Sequence, residues 1–428
     1  MNTTYIKNLK TPIAVIGLGK SGLSAHKVLL ACGHLPKDIV LFDEKSADAQ
    51  MTNWNDLVAR EAATWVISPG VPLKSLHITQ AQARGVHITS EISLAASLIE
   101  GEKLVGITGS VGKSTVTSIL GVGAKTIDVN CFIGGNLGTP FCDYALGLLS
   151  GQPRAAWVVL ELSSYQLENC VGLTLEHSII TYLSANHLER YSSLHDYYLT
   201  KLKITEITRQ LCLFNNTSTD CREYIKKAKC RAQLANADIF SEGHSLPSLL
   251  MIGAHNRDNY ALAAHTALSC GWGEPSLTAM ASYRGLPHRL EFVASVENVA
   301  YIDDSKATAM DSVLVATSAC LEALTQNNKL FLLLGGRDKN LPWQELSVLS
   351  DSPIIVPVFF GECGSLAREK SGLSGEYFEK LGHAIGYCQK RSVDGDVVLL
   401  SPGGTSLDEF KNFEVRGSFF KSLVLSGL

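Results

Sequence analysis

The sequence is poor in the features that mark several classes of protein. Only 13 of its 428 residues are proline and charged residues make up 18%, so neither a proline-rich linker nor a disordered chain is indicated. No run of 18 uncharged apolar residues occurs, and we expect no membrane span and no export signal. Lysine and arginine number 37 against 41 aspartate and glutamate, so no excess of positive charge points to nucleic acid.

The cysteines also exclude some kinds of structure. There are eleven, an odd number without a CxxC pair, which favours reduced thiols over a disulfide framework or a structural zinc site. Reduced thiols and the lack of an export signal predict a cytoplasmic protein. At roughly 150 residues per domain, the length predicts two to three domains.

Apolar runs typical of strands alternate with helix-like segments along the chain. Examples are IAVIG, KLVGITG, AAWVVLELSS, LCLFNN, KLFLLLGG and DVVLLSPGG. Repeated strand–helix units predict an α/β protein with parallel sheets covered by helices. The segment FVASVENVAYID predicts a β-hairpin around Glu297 and Asn298. We divide the chain into three α/β domains, at 1–98, 99–286 and 287–428.

The segment GITGSVGKST, residues 106–115, has the features of a phosphate-binding loop. It follows a predicted strand and opens a predicted helix, so its backbone N–H groups can face an anion while Lys113 reaches the β- and γ-phosphates. Ser114 or Thr115 would then bind Mg²⁺. Ile107 stands where the strict GxxxxGK[ST] pattern requires glycine, so a plain glycine-rich turn with a surface lysine is the alternative.

Two further predicted strands end in side chains that can bind magnesium. AAWVVLELSS contains Glu161 near its end, and HSIITYLSANH ends with Asn186 and His187. Ligands of open α/β sheets lie at the carboxyl ends of the strands, so Glu161 and His187 can meet the same nucleotide and its Mg²⁺ ions. Taken singly, each is more often an ordinary polar residue at a strand end, and the phosphate-binding loop upstream supports the metal hypothesis.

The segment GLGKSG, residues 17–22, matches GxGxxG after a predicted strand, and Asp43 ends the next strand. Alone, this pattern is typical of a site for NAD or a nucleotide diphosphate, with a purely structural turn as the alternative. Two nucleotide sites in one chain indicate a transferase or ligase that uses ATP on a nucleotide-linked substrate.

In their order, these motifs resemble those of the Mur ligase family, almost from end to end. The resemblance is carried by GLGKSG, SPGV (68–71), GITGSVGKST, GGNLGTP (134–140), ELSSYQLE (161–168), NHLERY (186–191), YYLTKLKI (197–204), GAHNRDNYALAA (253–264), GLPHRLE (285–291), DDSKAT (303–308), LLLGGRDK (332–339) and SLDEFKNFEVRG (406–417). It implies a Rossmann-like N-terminal domain that binds UDP, a central P-loop ATPase domain with a parallel sheet, and a Rossmann-like α/β C-terminal domain that binds an amino acid.

The resemblance implies an ATP-dependent ligase of peptidoglycan precursor synthesis. ATP would phosphorylate the carboxylate of UDP-N-acetylmuramoyl-L-alanine, and the amine of D-glutamate would attack the resulting acyl phosphate, with Lys113 and two Mg²⁺ ions balancing the charge. The alternatives are a family ligase for another amino acid such as L-glutamate, and a nucleotide-binding relative with little or no activity. We expect a monomer, and NAD is not expected.

The resemblance also implies roles for single residues. The expected catalytic residues are Lys113, Glu161, His187 and Lys201. Lys201 stands where the family carries a carbamylated lysine. The expected metal ligands are Ser114, Thr115, Glu161, His187 and, if it is carbamylated, Lys201. ATP is expected to contact Gly109, Ser110, Gly112, Lys113, Ser114, Thr115, Asn256, Asn259, His288, Arg289 and Asp304. The UDP-substrate is expected to contact Gly17, Gly19, Lys20, Ser21, Gly22, Asp43, Gly70 and Asn136. D-Glutamate is expected to contact Lys306, Thr308, Lys339, Ser406, Leu407 and Phe413.

The chain departs from the family pattern at three single positions and one three-residue segment. Val111 replaces an Asn of the P-loop, Asn186 replaces an Asp, and Ala309 stands where Asn is common. Gly403, Gly404 and Thr405 replace Ala, Cys and Ala. These departures allow slower turnover, an altered metal requirement or a changed amino acid preference, and leave the predicted fold intact.

Overall fold

The structure is a computed structural model that describes residues 2–184, 190–324 and 327–426. It divides into two compact units. The first unit is Met1–Leu246 with Asp258–Met280, and the second is Pro247–Arg257 with Ala281–Leu428. The predicted boundaries of three domains stay a prediction, although each of the three regions contains one sheet.

The first sheet of the first unit has four parallel strands in the order β2-β1-β3-β4. The strands are β1 Ile13–Ile16, β2 Ile39–Phe42, β3 Thr64–Ile67 and β4 His87–Ser90. The helices of this region are α1 Thr4–Lys7, α2 Lys20–Ala31, α3 Trp54–Ala59, α4 Leu76–Ala83 and α5 Glu91–Ala96. Every residue of β1, β2 and β3 is buried, as expected for parallel strands covered on both faces.

The second sheet of the same unit has six parallel strands in the order β10-β9-β8-β5-β7-β6. The strands are β5 Lys103–Thr108, β6 Phe132–Gly135, β7 Trp157–Glu161, β8 Leu175–Ile180, β9 Thr208–Asn215 and β10 Ala232–Ala235. The helices are α6 Lys113–Ile127, α7 Phe141–Leu149, α8 Ser164–Leu167, α9 Leu194–Leu202, α10 Thr219–Tyr224, α11 Ala237–Ser241, α12 Ala254–Ser269 and α13 Glu274–Ala281. Residues 254–257 of α12 and residue 281 of α13 belong to the second unit. Phe141 and Tyr144 of α7 share one apolar core with Ile92 and Leu94 of α5, so the two sheets of this unit are packed together.

The sheet of the second unit is mixed, with the strand order β11-β12-β16-β13-β14-β15. The strands are β11 Glu291–Val296, β12 Val299–Asp303, β13 Leu330–Gly335, β14 Ile355–Phe360, β15 Glu376–Phe378 and β16 Val397–Gly403. The helices are α14 Met310–Ala323, α15 Gly364–Ser371, α16 Leu381–Arg391 and α17 Phe413–Ser426. Strands β11 and β12 form the predicted hairpin, which turns at Glu297 and Asn298 with φ of 48° and 62°. The hairpin is why this sheet is mixed, since β11 is its antiparallel edge strand.

Short 3₁₀ helices complete the described elements, at Pro36–Asp38, Lys203–Glu206, Ile225–Lys227 and Trp343–Leu349. All eleven cysteines are free thiols. Among the helices of the described ranges, none has both the length and the apolar character needed to cross a membrane.

Candidate active site

A cleft of about 600 Å³ opens at the carboxyl ends of the first sheet. Its volume is in the range of small-molecule sites. The lining includes all the residues predicted to bind the UDP-substrate except Gly22, namely Gly17, Gly19, Lys20, Ser21, Asp43, Gly70 and Asn136. The structure therefore brings this predicted set together around one cavity.

The glycine turn after β1 is shaped by close backbone contacts. A Cβ atom on Gly22 would lie 1.9 Å from the carbonyl oxygen of Gly17, which no side chain could tolerate. Gly17 has φ of +86° and its carbonyl oxygen accepts a 2.6 Å hydrogen bond from Ser68 Oγ. Gly22 thus lets α2 pack against the turn, whereas Gly17, Gly19 and Ser21 line the cleft.

Asp43 holds the same turn by its carboxylate. Its oxygens accept hydrogen bonds from the backbone N–H groups of Leu18 at 2.8 Å, Lys45 at 2.8 Å and Ser46 at 3.0 Å. These bonds, the one from Leu18 above all, lower the pKa of Asp43, because they stabilise its charged form. Asp43 therefore orders two loops at the edge of the cleft.

Sequence reasoning missed an aromatic group on the wall of this cleft. Trp54 stacks on His77 with ring centroids 4.6 Å apart and planes 4° apart, and Phe42 packs against Trp54 at 4.4 Å. Trp54 Nε1 donates a 3.1 Å hydrogen bond to Glu44 Oε1. No motif marks these residues, since they come from three separate segments of the first sheet region.

The phosphate-binding loop follows β5 and ends at the first turn of α6. Gly109 and Gly112 have φ of +148° and +85°, and a Cβ on Gly109 would lie 2.1 Å from Thr181 Oγ1. Lys113 Nζ donates hydrogen bonds to the carbonyl oxygens of Gly109 at 2.9 Å and Ser110 at 3.0 Å. Because the N-terminus of α6 follows directly, the loop has the geometry of an anion site.

Two predicted ATP residues, Ser110 within this loop and Asn259 beside it, have different contacts. Ser110 Oγ donates to the carbonyl oxygen of Ser184 at 2.8 Å, so its hydroxyl fastens the loop to the segment after β8. A Cβ on Gly112 would lie 2.9 Å from Asn259 Oδ1, which places the Asn259 side chain against the loop. Asn256, one turn earlier in α12, donates from Nδ2 to the carbonyl oxygen of Ile252 at 2.8 Å.

Lys201 of α9 is buried beside the loop with 1% of its surface exposed. Its Nζ donates a 2.7 Å hydrogen bond to the carbonyl oxygen of Gly109 and lies 4.6 Å from the centre of the Tyr197 ring. Burial lowers the pKa of Lys201 well below its usual value, the Lys113 ammonium lowers it further, and Glu161 opposes both.

Glu161, at the end of β7, has one carboxylate oxygen available for a cation. Oε1 accepts a 2.6 Å hydrogen bond from Asn136 Nδ2, whereas no described residue donates a hydrogen bond to the buried Oε2. A buried carboxylate oxygen without a donor is costly unless it is protonated or binds a cation. Glu161 therefore fits a Mg²⁺ ligand, and Ser114 and Thr115 lie in the first turn of α6. The predicted ligand His187, with Asn186, lies outside the described residues.

The second unit contains a compact polar group around the end of β12. His288, with φ of +62°, bonds through Nδ1 to Asp303 Oδ2 at 2.6 Å. Ligand atoms of His288, Glu291 and Asp303 lie within 4.8 Å of one another, and Lys421 Nζ lies 2.5 Å from Glu291 Oε2. An ammonium group thus already pairs with Glu291 and lies 4.0 Å from Asp303 Oδ2.

Asp304, predicted at the nucleotide, is buried next to that group. Its carboxylate accepts hydrogen bonds from Ser401 Oγ at 3.0 Å and from the backbone N–H of Leu290 at 3.2 Å. Burial raises the pKa of Asp304 to about 7, with Asp303 adding to the effect.

The residues predicted to bind D-glutamate lie on loops of the same unit, except Phe413, which is the first residue of α17. Lys306 Nζ is 4.0 Å from the centre of the Phe413 ring. Burial lowers the pKa of Lys306, and the nearby cations Arg289 and Lys339 lower it further. Three cations close to one another suit a ligand with two carboxylates. Leu407 is 55% exposed, so its side chain is open to solvent.

Sequence reasoning missed Arg416, which is fully buried behind these loops. Its guanidinium donates to Ser305 Oγ at 3.0 Å, to the carbonyl oxygen of Ser305 at 2.8 Å and to that of Gly404 at 3.1 Å. Gly403 has φ of +73°, and a Cβ on Gly404 would lie 2.6 Å from the carbonyl oxygen of Gly335. Both glycines that depart from the family pattern therefore fit a tight backbone approach in this chain.

Known proteins resemble this chain over its whole length. A family model of the Mur ligase middle domain matches residues 107–267. The UDP-N-acetylmuramoylalanine–D-glutamate ligase of Myxococcus xanthus is 33% identical and the alignment covers 96% of this chain and 97% of that protein. The ligase of the same name from Haemophilus influenzae (strain PittEE) is also 33% identical, with 99% of each chain covered.

Solved structures show the same fold at low identity. The UDP-N-acetylmuramate–alanine ligase of Thermotoga maritima superimposes with a TM-score of 0.57 at 17% identity, covering 98% of this chain and 100% of that one. A MurF ligase from Thermotoga maritima in complex with ADP gives a TM-score of 0.60 at 15% identity, covering 91% and 96%. With relatives 33% identical over nearly the full length, the chain belongs to the Mur ligase family.

Proposed function

We propose that this chain is an ATP-dependent ligase that joins D-glutamate to UDP-N-acetylmuramoyl-L-alanine through an acyl phosphate. The full-length similarity to relatives named for this reaction favours it over a ligase for another amino acid or an inactive relative. The observation that carries the proposal is the position of Asn136. Its side chain lines the predicted UDP cleft and also donates to Glu161, so the cleft adjoins the candidate metal ligand.

The phosphoryl donor fits the loop after β5. Backbone N–H groups of Gly109 and Gly112 and the Lys113 ammonium hold the phosphates of ATP, and Lys113 gives up its two carbonyl acceptors to do so. The backbone N–H of Ser110 donates to the carbonyl oxygen of Tyr182 at 2.6 Å, so Ser110 contributes by its position in the loop. Glu161, Ser114 and Thr115 hold Mg²⁺, with His187 as the ligand of a second ion. Bound there, Mg²⁺ would supply positive charge next to the phosphoryl oxygens, on which negative charge develops during transfer.

Lys201 acts in this proposal as a carbamate. Its lowered pKa leaves a larger neutral fraction. The neutral Nζ attacks the carbon of CO₂, so an N–C bond forms, one C=O π bond opens to a carboxylate oxygen, and the nitrogen loses a proton. The product is an anion in place of a cation. An anion next to Lys113 is attracted to it and can bind or orient Mg²⁺, whereas the ammonium repels both.

The remaining assignments follow the predicted sets. The UDP-substrate binds the predicted set, and two of its members, Asp43 and Gly22, also shape the glycine turn. The set is Gly17, Gly19, Lys20, Ser21, Gly22, Asp43, Gly70 and Asn136. The ATP nucleoside binds Asn256, Asn259, His288, Arg289 and Asp304, and D-glutamate binds Lys306, Thr308, Lys339, Ser406, Leu407 and Phe413. We also propose a cytoplasmic monomer with the three predicted domains, and size-exclusion chromatography with light scattering tests the monomer.

Release of phosphate tests the reaction directly. Purified protein is incubated with ATP, Mg²⁺ and UDP-N-acetylmuramoyl-L-alanine, and with D-glutamate, L-glutamate or no amino acid. We expect release that depends on D-glutamate, lost in Lys113→Ala and kept in Lys203→Ala, whose side chain lies on the exposed side of the chain after α9. Release with L-glutamate alone would show that the amino acid specificity has changed, and the loops that carry the predicted D-glutamate residues would be the place of that change. ATP binding without release would favour the inactive relative.

A further inference from the structure

Arg190 is a mostly buried arginine that connects the loop after β3 to the segment after α8, both within the first unit. Its Nη1 donates to the carbonyl oxygen of Pro69 at 2.9 Å and its Nη2 donates to that of Val71 at 3.3 Å. Pro69 and Val71 are the residues before and after Gly70, which lines the predicted UDP cleft. One guanidinium therefore holds the carbonyl groups of the two residues on either side of Gly70.

The guanidinium is itself held from two sides. Glu168 accepts hydrogen bonds from Nη2 at 2.9 Å and from Nε at 3.3 Å. The guanidinium carbon Cζ lies 3.9 Å from the centre of the Tyr165 ring. Tyr191 OH donates to the same Glu168 carboxylate at 2.8 Å. Only 9% of the Arg190 side chain and 15% of the Glu168 side chain are exposed. A bidentate pair that stacks on an aromatic ring is the geometry that arginine provides and lysine cannot.

The direction of the Gly70 amide follows from these contacts. In a trans peptide the C=O and the N–H point to opposite sides, so a Pro69 carbonyl that faces Arg190 directs the Gly70 N–H away from Arg190. The space on the Arg190 side is small, since the cavity lined by Pro69, Val71, Tyr165 and Arg190 is about 10 Å³. Such a cavity holds about one water molecule, so the loop cannot relax in that direction.

We propose that Arg190 is a positioning residue that holds the 68–71 loop in the form that binds the UDP part of the substrate. The inference rests on the proposed function. Glu168 neutralises the Arg190 charge, so Arg190 acts by holding the two carbonyl groups and does not pair with the diphosphate. The 68–71 loop is also bonded to the glycine turn, because Ser68 Oγ donates a hydrogen bond to the carbonyl oxygen of Gly17. A loosened loop would therefore weaken UDP binding more than ATP binding.

The test compares Arg190→Lys with a matched arginine elsewhere in the unit. Arg154 pairs with Glu102 at 2.8 Å and with Glu100 at 2.8 Å, and it does not line the cleft. Isothermal titration measures the Kd of UDP and of ADP for wild type, Arg190→Lys, Glu168→Gln and Arg154→Lys, and phosphate release gives kcat and KM. Thermal melts show whether each variant is folded.

We expect Arg190→Lys to raise the Kd of UDP and the KM of UDP-N-acetylmuramoyl-L-alanine by about three- to tenfold, the effect of one lost hydrogen bond. The Kd of ADP and the kcat at saturating substrate should stay within about twofold of wild type. Glu168→Gln should raise the Kd of UDP less, because glutamine keeps one acceptor for Arg190. Arg154→Lys should leave the Kd of UDP unchanged.

Three results would overturn the inference: an unchanged Kd of UDP in folded Arg190→Lys, equal weakening of UDP and ADP, or the same weakening in Arg154→Lys. If Arg190→Lys does not fold, Glu168→Gln decides by the same criteria. If the wild-type protein binds UDP and releases phosphate with D-glutamate, and Arg190→Lys has the same Kd of UDP, only this inference is overturned. Wild-type protein that does not bind UDP overturns the proposed function as well.

Discussion

Lys201 Nζ donates a 2.7 Å hydrogen bond to the carbonyl oxygen of Gly109, and Lys113 Nζ donates to the same oxygen at 2.9 Å. Two ammonium groups thus share one acceptor inside the protein, where their repulsion is weakly screened. The neighbourhood disfavours a second positive charge and favours either a neutral amine or an anion at Lys201. The lowered pKa of Lys201 has this cause in addition to burial.

We predict that Lys201 takes up CO₂ at a lower pH than an exposed lysine does. Carbamate formation requires the neutral amine, and a lowered pKa makes that form available at lower pH. With ¹³C-labelled bicarbonate, wild-type protein should show a carbamate carbon signal near neutral pH. Lys201→Arg should lack it, and Lys203→Arg should keep it. A signal that survives in Lys201→Arg would place the modification elsewhere.

The elements and the phosphate-binding loop could be predicted because their signals are local. Apolar runs marked the strands, and the loop glycines stand where φ is positive, as at Gly112. Arg190 reaches Pro69 across 121 positions, and Arg416 reaches Ser305 across 111. Contacts over such separations depend on how segments pack, which no local pattern encodes. For the same reason, the sequence did not predict that the carboxylate of Asp43, which lines the cleft, also accepts hydrogen bonds from three backbone amides.

We predict that Asn136 supports the metal site as well as the UDP cleft. Asn136→Ala removes the 2.6 Å hydrogen bond that orients Glu161, so the Mg²⁺ concentration for half-maximal phosphate release should rise by about 10–100-fold. The exposed Asn130→Ala serves as the control. An unchanged Mg²⁺ requirement with a raised KM for the UDP-substrate would instead confine Asn136 to the sugar or its phosphates.

We predict that Glu91 makes the first unit less stable as pH rises. The residue is 1% exposed, Oε1 accepts from the backbone N–H of Cys142 in α7, and burial raises its pKa from 4.5 to about 7. Between these values the folded protein keeps a proton that the unfolded chain has lost, so the free energy of unfolding falls as pH rises through that window. At about 1.4 kcal/mol per unit, the loss is about 3 kcal/mol at most.

Denaturation in urea at pH 5 and pH 8 tests this. Glu91→Gln cannot ionise, so the difference in unfolding free energy between the two pH values should shrink. The exposed Glu206→Gln should retain the wild-type difference. Equal pH dependence in wild type and Glu91→Gln would show that Glu91 does not carry the effect.

We predict that Arg416 holds together the two loops that carry residues predicted to bind D-glutamate. Ser305 precedes Lys306, and Gly404 lies two residues before Ser406. One buried guanidinium therefore fixes the backbone of both loops. Arg416→Met leaves three acceptors without a donor, each costing about 1–3 kcal/mol, and should lower the free energy of unfolding of the second unit by about 3–5 kcal/mol. The milder Arg416→Lys should raise the KM for D-glutamate and leave that for ATP unchanged, whereas the exposed Arg391→Lys should change neither. A normal KM for D-glutamate in folded Arg416→Lys would mean that the loops hold their geometry without the guanidinium.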